Sequence, residues 1–209
     1  NQDLLALVIL GEFGRTDWET EIKVDPPPAM GTRRMRDEIA HLNRVGHELR
    51  AARSSEIRDQ DVTFHDYFAQ LLMISPTSHF ETFTLFKMGA RVAEMLMVSY
   101  KLKYEHPRPQ QYFPQLLPIL DLPGHSSYPS GHAMIGRMIA LCLADVAPAY
   151  RDALIALSER IGANREIGGM HFPSDTAAGF SIAEQAHPLL RNCETYRRVR
   201  DYASAEWAG

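Results

Sequence analysis

Between Ser130 and Val146 the chain is apolar almost all the way round a helical wheel, broken beyond its first turn only by Arg137 and Asp145. A surface helix needs a single apolar stripe, whereas a helix without a polar face has to be enclosed by its neighbours. The segment therefore reads as the buried centre of a domain. It falls short of the ~18 or more consecutive apolar residues that would span a bilayer, as does every other stretch of the chain.

Helical periodicity surrounds this centre. Met35–Ala52 carries Ile39, Leu42, Val45 and Leu49 at spacings of three and four, with charged residues between them. Phe64–Ile74 is a shorter amphipathic segment. His79–Tyr104 is rich in the helix formers Leu, Met and Ala, with Phe83, Phe86, Ala90, Val92 and Met95 as core residues, and Pro107 and Pro109 must end it. Arg151–Ile167 and Ser174–Leu190 follow, the second announced by Pro173-Ser174-Asp175. Gln110–Tyr128 contains several prolines and reads as a long loop, a kind of segment that in compact domains often serves function. Strand signals are weak throughout. The expected fold is all-α, a single-domain helical bundle.

One stiff extended break, Asp25-Pro26-Pro27-Pro28, divides the chain. It separates an N-terminal arm (residues 1–28, including the Pro-rich linker) from a helical catalytic domain (residues 29–209). The arm is expected to pack on the body or on a neighbouring subunit, an arrangement that permits a homodimer.

Composition excludes several classes of partner. With 45% hydrophobic and 23% charged residues the chain can bury a core without covalent staples. A net charge of −4 argues against a nucleic-acid partner, so an anion site has to be a local gathering of Lys and Arg. Cys142 and Cys193 are too few for a disulfide framework and lack metal-ligand spacing, and Cys142 sits in an apolar run that suits packing. Leu4–Leu10 is apolar but short, without a basic leader or a small-residue cleavage site after it. A soluble protein is expected, its compartment (periplasmic, secreted or cytoplasmic) left open, as is a segment upstream of Asn1. His41, His47, His65 and His79 are scattered, surface or core roles suffice for them, and no cluster suits a metal.

Three short segments place polar, cationic residues at helix ends. In the first, Lys101 and Arg108-Pro109 leave the end of an apolar helix and can reach one anion, the Lys as a point charge and the Arg as a fork. Solvated cations favoured by the helix dipole account for them equally well in isolation. The second is Pro129-Ser130-Gly131-His132 at the start of the buried helix. Ser130 is a good N-cap, Gly131 lets backbone approach a bound group, and the free N–H groups cradle anions. His132 would face the same anion and exchange a proton with it; the plain alternative is a capped helix with a packed histidine. In the third, Arg165 precedes His171-Phe172-Pro173-Ser174-Asp175, with Gly168 and Gly169 between. Asp175 falls in a first helical turn, where it can accept from one ring nitrogen of His171 and leave the other free to attack, or merely complement the helix N-terminus.

Taken together, Lys101-x6-Arg108-Pro109, Pro129-Ser130-Gly131-His132 and Arg165-x5-His171-x3-Asp175 resemble the signature of the type 2 phosphatidic acid phosphatase superfamily, which also holds bacterial acid phosphatases and vanadium haloperoxidases. Order and spacing agree in all three segments. Asn164 departs from the pattern, standing where the family usually has Ser. The resemblance implies that Lys101, Arg108 and Arg165 hold the oxygens of phosphate or vanadate, with Ser130 and the Gly131 N–H adding hydrogen bonds. It implies His171 as the nucleophile, or as the vanadium ligand in a haloperoxidase, with Asp175 orienting it and His132 as general acid and base. A phosphatase of this kind requires no cofactor and acts on a small phosphorylated substrate; a haloperoxidase would carry vanadate.

His125 keeps the second activity open, because a histidine at that offset before His132 resembles the bromoperoxidase branch, together with Ser126-Ser127-Tyr128. The chain's short length and the His171-Phe172-Pro173-Ser174-Asp175 run favour the phosphatase. A non-catalytic anion-binding protein is the third reading, and the two histidines and the aspartate in register argue against it. Tyr112, Phe113 and Leu116 in the long loop are either pocket lining or core.

Overall fold

The computed structural model describes residues 2–208. It is helical, with no strand among the described residues: α1 (Gln2–Phe13), α2 (Trp18–Glu21), α3 (Arg33–Leu72), α4 (Phe80–Tyr104), α5 (Pro109–Tyr112), α6 (Gly131–Ala144), α7 (Arg151–Ile167), α8 (Pro173–Asn192) and α9 (Glu194–Ala205), with a 3-10 turn at Pro148–Tyr150. The apolar segment forms α6, which is enclosed by α4, α7 and α8. From Ala133 to Ala144 every residue is buried. Its two polar interruptions are each neutralised. Arg137 lies over the Phe180 ring, 4.3 Å from the centroid, and pairs with Glu159 at 3.2 Å. Asp145 accepts from Tyr196 Oη at 2.9 Å and lies 3.1 Å from His187 Nε2.

Close approach of α8 to the start of α6 depends on Gly179. A Cβ there would stand 2.7 Å from Ser130 O and 3.0 Å from Met134 N, both backbone atoms that cannot swing away. The missing side chain thus sets the spacing between two helices whose N-terminal ends carry Ser130, His132 and Asp175.

Met35–Ala52 and Phe64–Ile74, expected as separate helices, are parts of the single element α3, bent where Thr63 leaves helical geometry (φ −111°, ψ 15°). The intervening residues lack Gly and Pro, and Ile57 and Gln60 supply an inward stripe that carries the helix through an otherwise polar stretch. Thr63 Oγ1 donates to Asp59 O at 2.7 Å, a local bond that accompanies the bend.

The N-terminal segment is helical, and Ile9 and Phe13 of α1 enter the main core against α4 and α9. Helix α9, unanticipated from the sequence, packs Tyr196, Val199 and Ala203 into the same core. Glu206 just beyond it caps α4, accepting from Glu81 N at 2.8 Å and Thr82 N at 2.9 Å. In the long loop, Tyr112, Phe113 and Leu116 pack with Met35, Leu42 and Phe172 in a second, smaller core rather than standing free.

Candidate active site

The three cationic segments meet at one end of α6. Lys101, in the last turn of α4, is buried and donates from Nζ to the carbonyls of Ser126 (2.5 Å) and Ser127 (3.1 Å). Arg108 precedes α5 and is equally buried; its Nη1 donates to Met170 O at 2.8 Å and its Nε to His125 O at 3.3 Å. Arg165, in the last turn of α7, is 2% exposed, and its Nη1 lies 3.0 Å from Asp61 Oδ1. Among the described residues neither Nε nor Nη1 of Arg165 has a hydrogen-bond partner, the Asp61 contact being an ion pair. Backbone carbonyls therefore hold two of the cations in place without neutralising them.

Pro173 occupies the first turn of α8, where its missing N–H costs nothing, and leaves His171 in the connection just before the helix. His171 Nδ1 is 3.2 Å from Asp175 Oδ2. That oxygen also accepts from Phe172 N at 2.9 Å and from Ser127 Oγ at 2.5 Å. An oxygen receiving a backbone N–H is an acceptor, so Nδ1 of His171 is the donor and its other nitrogen carries the lone pair. Ser130 caps α6, and its own N–H donates to Asp175 O at 3.0 Å, which ties the second segment to the third. On the other side of Gly131 the space for a Cβ is occupied by the end of the flexible Met97 side chain.

His132 sits in the first turn of α6 with its ring packed at a tilt on Phe64 (centroids 4.5 Å apart), and its Nε2 lies 3.2 Å from Asp61 O. His125 is on the exposed rim, its Nδ1 3.3 Å from Arg108 Nη2. It faces a cavity of about 660 Å³ that Lys101, Arg108, Leu102 and Leu122 also line.

The convergence shifts the titration of these groups. Burial drives the His171 imidazole well below the usual histidine range, and the charges of Arg108, Lys101 and Arg165, with His132, drive it further. Burial, then Arg165, brings His132 down to about 3. Lys101 falls to about 7 through burial and the neighbouring Arg108, and Arg108 to about 10 through burial. Burial raises Asp175 to about 7, against the opposing hydrogen bonds from Ser127 and Phe172. Such a site keeps both imidazoles neutral at neutral pH and is short of negative charge. Those are the properties an oxyanion and a nucleophilic nitrogen require.

Lys101, Arg108, Arg165, His132, His171 and Asp175 are therefore brought together, with Ser130 and Gly131 at the helix end beside them and His125 at the edge. Two residues with polar roles here are missing from the sequence expectation. Ser127 lies in the Ser126-Ser127-Tyr128 run but has no motif position of its own. Asp61 belongs to the polar stretch of α3, where nothing in the local pattern sets it apart. Asn164, the departure from the family pattern, donates from Nδ2 to Gln60 Oε1 at 2.9 Å and accepts from Arg53 at 3.0 Å, so it knits α7 to α3. No group of His, Cys, Asp and Glu among the described residues could hold a metal, and no helix is long and apolar enough to cross a membrane.

The chain is similar to several known proteins. An acid phosphatase of Zymomonas mobilis is 34% identical over 80 residues, covering 38% of this chain and 30% of that protein. A non-specific acid phosphatase of Providencia stuartii is 32% identical over 84 residues, 40% of this chain and 34% of that protein. The chain thus matches about a third of the length of these curated relatives. A transmembrane PAP2-type phosphatidylglycerolphosphate phosphatase of Bacillus subtilis superimposes over 91% of this chain and 94% of its own, with 16% identity and a TM-score of 0.38. The PAP2 superfamily itself matches residues 84–198, from within α4 to within α9, a span that takes in every residue of the cation cradle; the chain belongs to the PAP2 superfamily.

Proposed function

We propose that the protein is a phosphoric monoester hydrolase that works through a phosphohistidine intermediate. The observation that carries this reading is the buried His171–Asp175 pair within the field of three cations, with His132 beside them. Asp175 fixes the proton of His171 on Nδ1, so the Nε2 lone pair attacks phosphorus. Lys101, Arg108 and Arg165, the Ser130 hydroxyl and the Gly131 N–H receive the phosphoryl oxygens, where charge builds up in the transition state. The anionic ester, once bound, raises His132 so that it takes up a proton on its free ring nitrogen, and the imidazolium gives that proton to the departing alkoxide oxygen as the P–O bond breaks. In the second step it takes a proton from water, whose oxygen displaces His171 and releases phosphate. Arg165 Nε, a buried donor without a protein partner, supports an oxyanion as the missing acceptor.

The first test is hydrolysis of p-nitrophenyl phosphate. His171→Ala is expected to lose turnover together with an acid-labile, base-stable phosphoenzyme in the wild type. Normal hydrolysis in that variant would remove His171 as nucleophile, and phosphate binding without turnover of any ester would leave the anion-binding reading standing.

A second reading, a vanadium-dependent haloperoxidase, is favoured by the contact of His125 with Arg108. Vanadate would meet the same donors as phosphate, with His171 as its ligand, and would supply activation of peroxide. Incubation with vanadate is expected to inhibit hydrolysis. Bromide oxidation by peroxide that exceeds the hydrolytic rate and falls on His125→Ala would favour this second reading.

A further inference from the structure

We propose that Asp61 is a positioning residue that sets His132 and Arg165 for proton transfer and anion binding through one bend in α3. This inference rests on the hydrolase reading above. Two different groups of the same residue reach the site. The backbone carbonyl lies 3.2 Å from His132 Nε2, and the carboxylate lies 3.0 Å from Arg165 Nη1. Both contacts sit two residues before the point where Thr63 leaves helical geometry. The polar stretch of α3 thereby enters the chemistry of α6 and α7 without belonging to any motif.

Each contact has a chemical consequence. A carbonyl oxygen can only accept, so Nε2 of His132 carries the ring proton and Nδ1 is the atom that exchanges a proton with the substrate. Phe64 packs at a tilt against the His132 ring, and His65 packs at a tilt on Phe64 with centroids 3.8 Å apart, so the imidazole is flanked on that side. The carboxylate anchors Arg165 by an ion pair at Nη1, and both Nε and Nη1, buried and without a hydrogen-bond partner among the described residues, stay available to an oxyanion. It also offsets the positive charge that depresses His132. The charged and titratable groups acting on His132 are Arg165 from α7, His65 from α3 and His171 from the connection before α8. Asp61, with a side chain 37% exposed, is the carboxylate on the open side of this group.

The test compares wild type with Asp61→Asn and Asp61→Ala in p-nitrophenyl phosphate hydrolysis across pH, alongside the thermal midpoint and the His132 tautomer by nitrogen-15 NMR. Wild-type His132 is expected as the Nε2–H tautomer, and Asp61→Asn is expected to keep it, since the carbonyl remains. Removing the charge exposes His132 to Arg165, so the alkaline limb of kcat in Asp61→Asn should move to lower pH by about one unit. At pH 7 kcat should fall about tenfold, while KM does not rise because an anionic neighbour of the substrate has gone.

An unchanged kcat with a lower KM would overturn the proposal, because Asp61 would then only compete with substrate. So would a loss of activity equal at every pH together with a lower thermal midpoint, the mark of a merely structural role. A wild-type Nδ1–H tautomer would remove the carbonyl's part. If the wild type hydrolyses no ester, the hydrolase reading fails first; the tautomer still decides whether α3 orients His132.

Discussion

Ser127→Ala isolates the electrostatics of the nucleophile's partner. Ser127 is fully buried, and its hydroxyl donates to Asp175 Oδ2 at 2.5 Å, leaving Phe172 N and His171 Nδ1 as the other donors to that oxygen. A hydrogen bond to a buried charged group contributes about 1.5–3 kcal/mol, chiefly to the ionised form. Divided by the free energy of one pKa unit, this raises Asp175 by about one to two units in the variant. Asp175 already stands at about 7 in the intact protein because of burial, so its ionisation moves into the alkaline range. Once protonated it no longer supports the imidazolium character that develops on His171 as the phosphoryl group transfers. The acid limb of kcat should therefore shift to higher pH by about one to two units, with turnover at pH 6 falling about tenfold or more.

The same bond predicts a particular pH dependence of stability. A carboxyl whose pKa is raised on folding binds more protons folded than unfolded between 3.8 and about 7, so this group's contribution falls as pH rises through that window and levels off above it. In Ser127→Ala the fall continues to higher pH. The stability difference between wild type and variant should be small at pH 5, where both bury a neutral carboxyl, and larger by about 1–3 kcal/mol at pH 9. Urea unfolding at the two pH values measures it. An equal difference at both would mean that Ser127 only fills space, and the account of Asp175 would fail with it.

Binding of phosphate at pH 8 should be accompanied by proton uptake, because Lys101, at about 7, gains a proton beside an oxyanion. Calorimetry in buffers of different ionisation enthalpy reads the number, and zero uptake would contradict it. Gly179→Ala should lose about 1–3 kcal/mol in unfolding and also lower kcat, since the new methyl meets Ser130 O at 2.7 Å and moves the start of α6. A stable, fully active variant would show that this helix spacing is not needed for the site.

The helical architecture is legible in the sequence because α6 has no polar face, and the cation cradle because its members stand at helix ends with short spacings. The Ser130 cap and the Pro173 start are likewise local features, and both helices begin where those residues require. What is illegible is what only tertiary placement decides. Asp61 is one acidic residue among several along α3, and its role follows from a bend at Thr63 and from where α7 passes. The continuity of α3 rests on Ile57 and Gln60, too sparse a stripe to stand out in a polar stretch. Gly131 is legible as a small residue at a helix start, but its neighbour there, the end of the Met97 side chain, comes from a distant residue on α4.

The cost of this site is met during folding rather than during binding. Lys101 and Arg108 are long, flexible side chains, and each would lose rotamer freedom on capturing an anion from an exposed surface. Here the carbonyls of His125, Ser126, Ser127 and Met170 hold them in their buried positions. Carbonyl dipoles orient the cations without cancelling their charge, so these add to the burial that already lowers the His171 imidazole. Fixed donors of this kind stabilise a transition state because they need not reorganise when charge develops. They also require a rigid frame, and the frame is the apolar α6 clamped between α4, α7 and α8. The segment that commits the chain to a helical bundle is thus also what lets its polar first turn serve as part of an anion site.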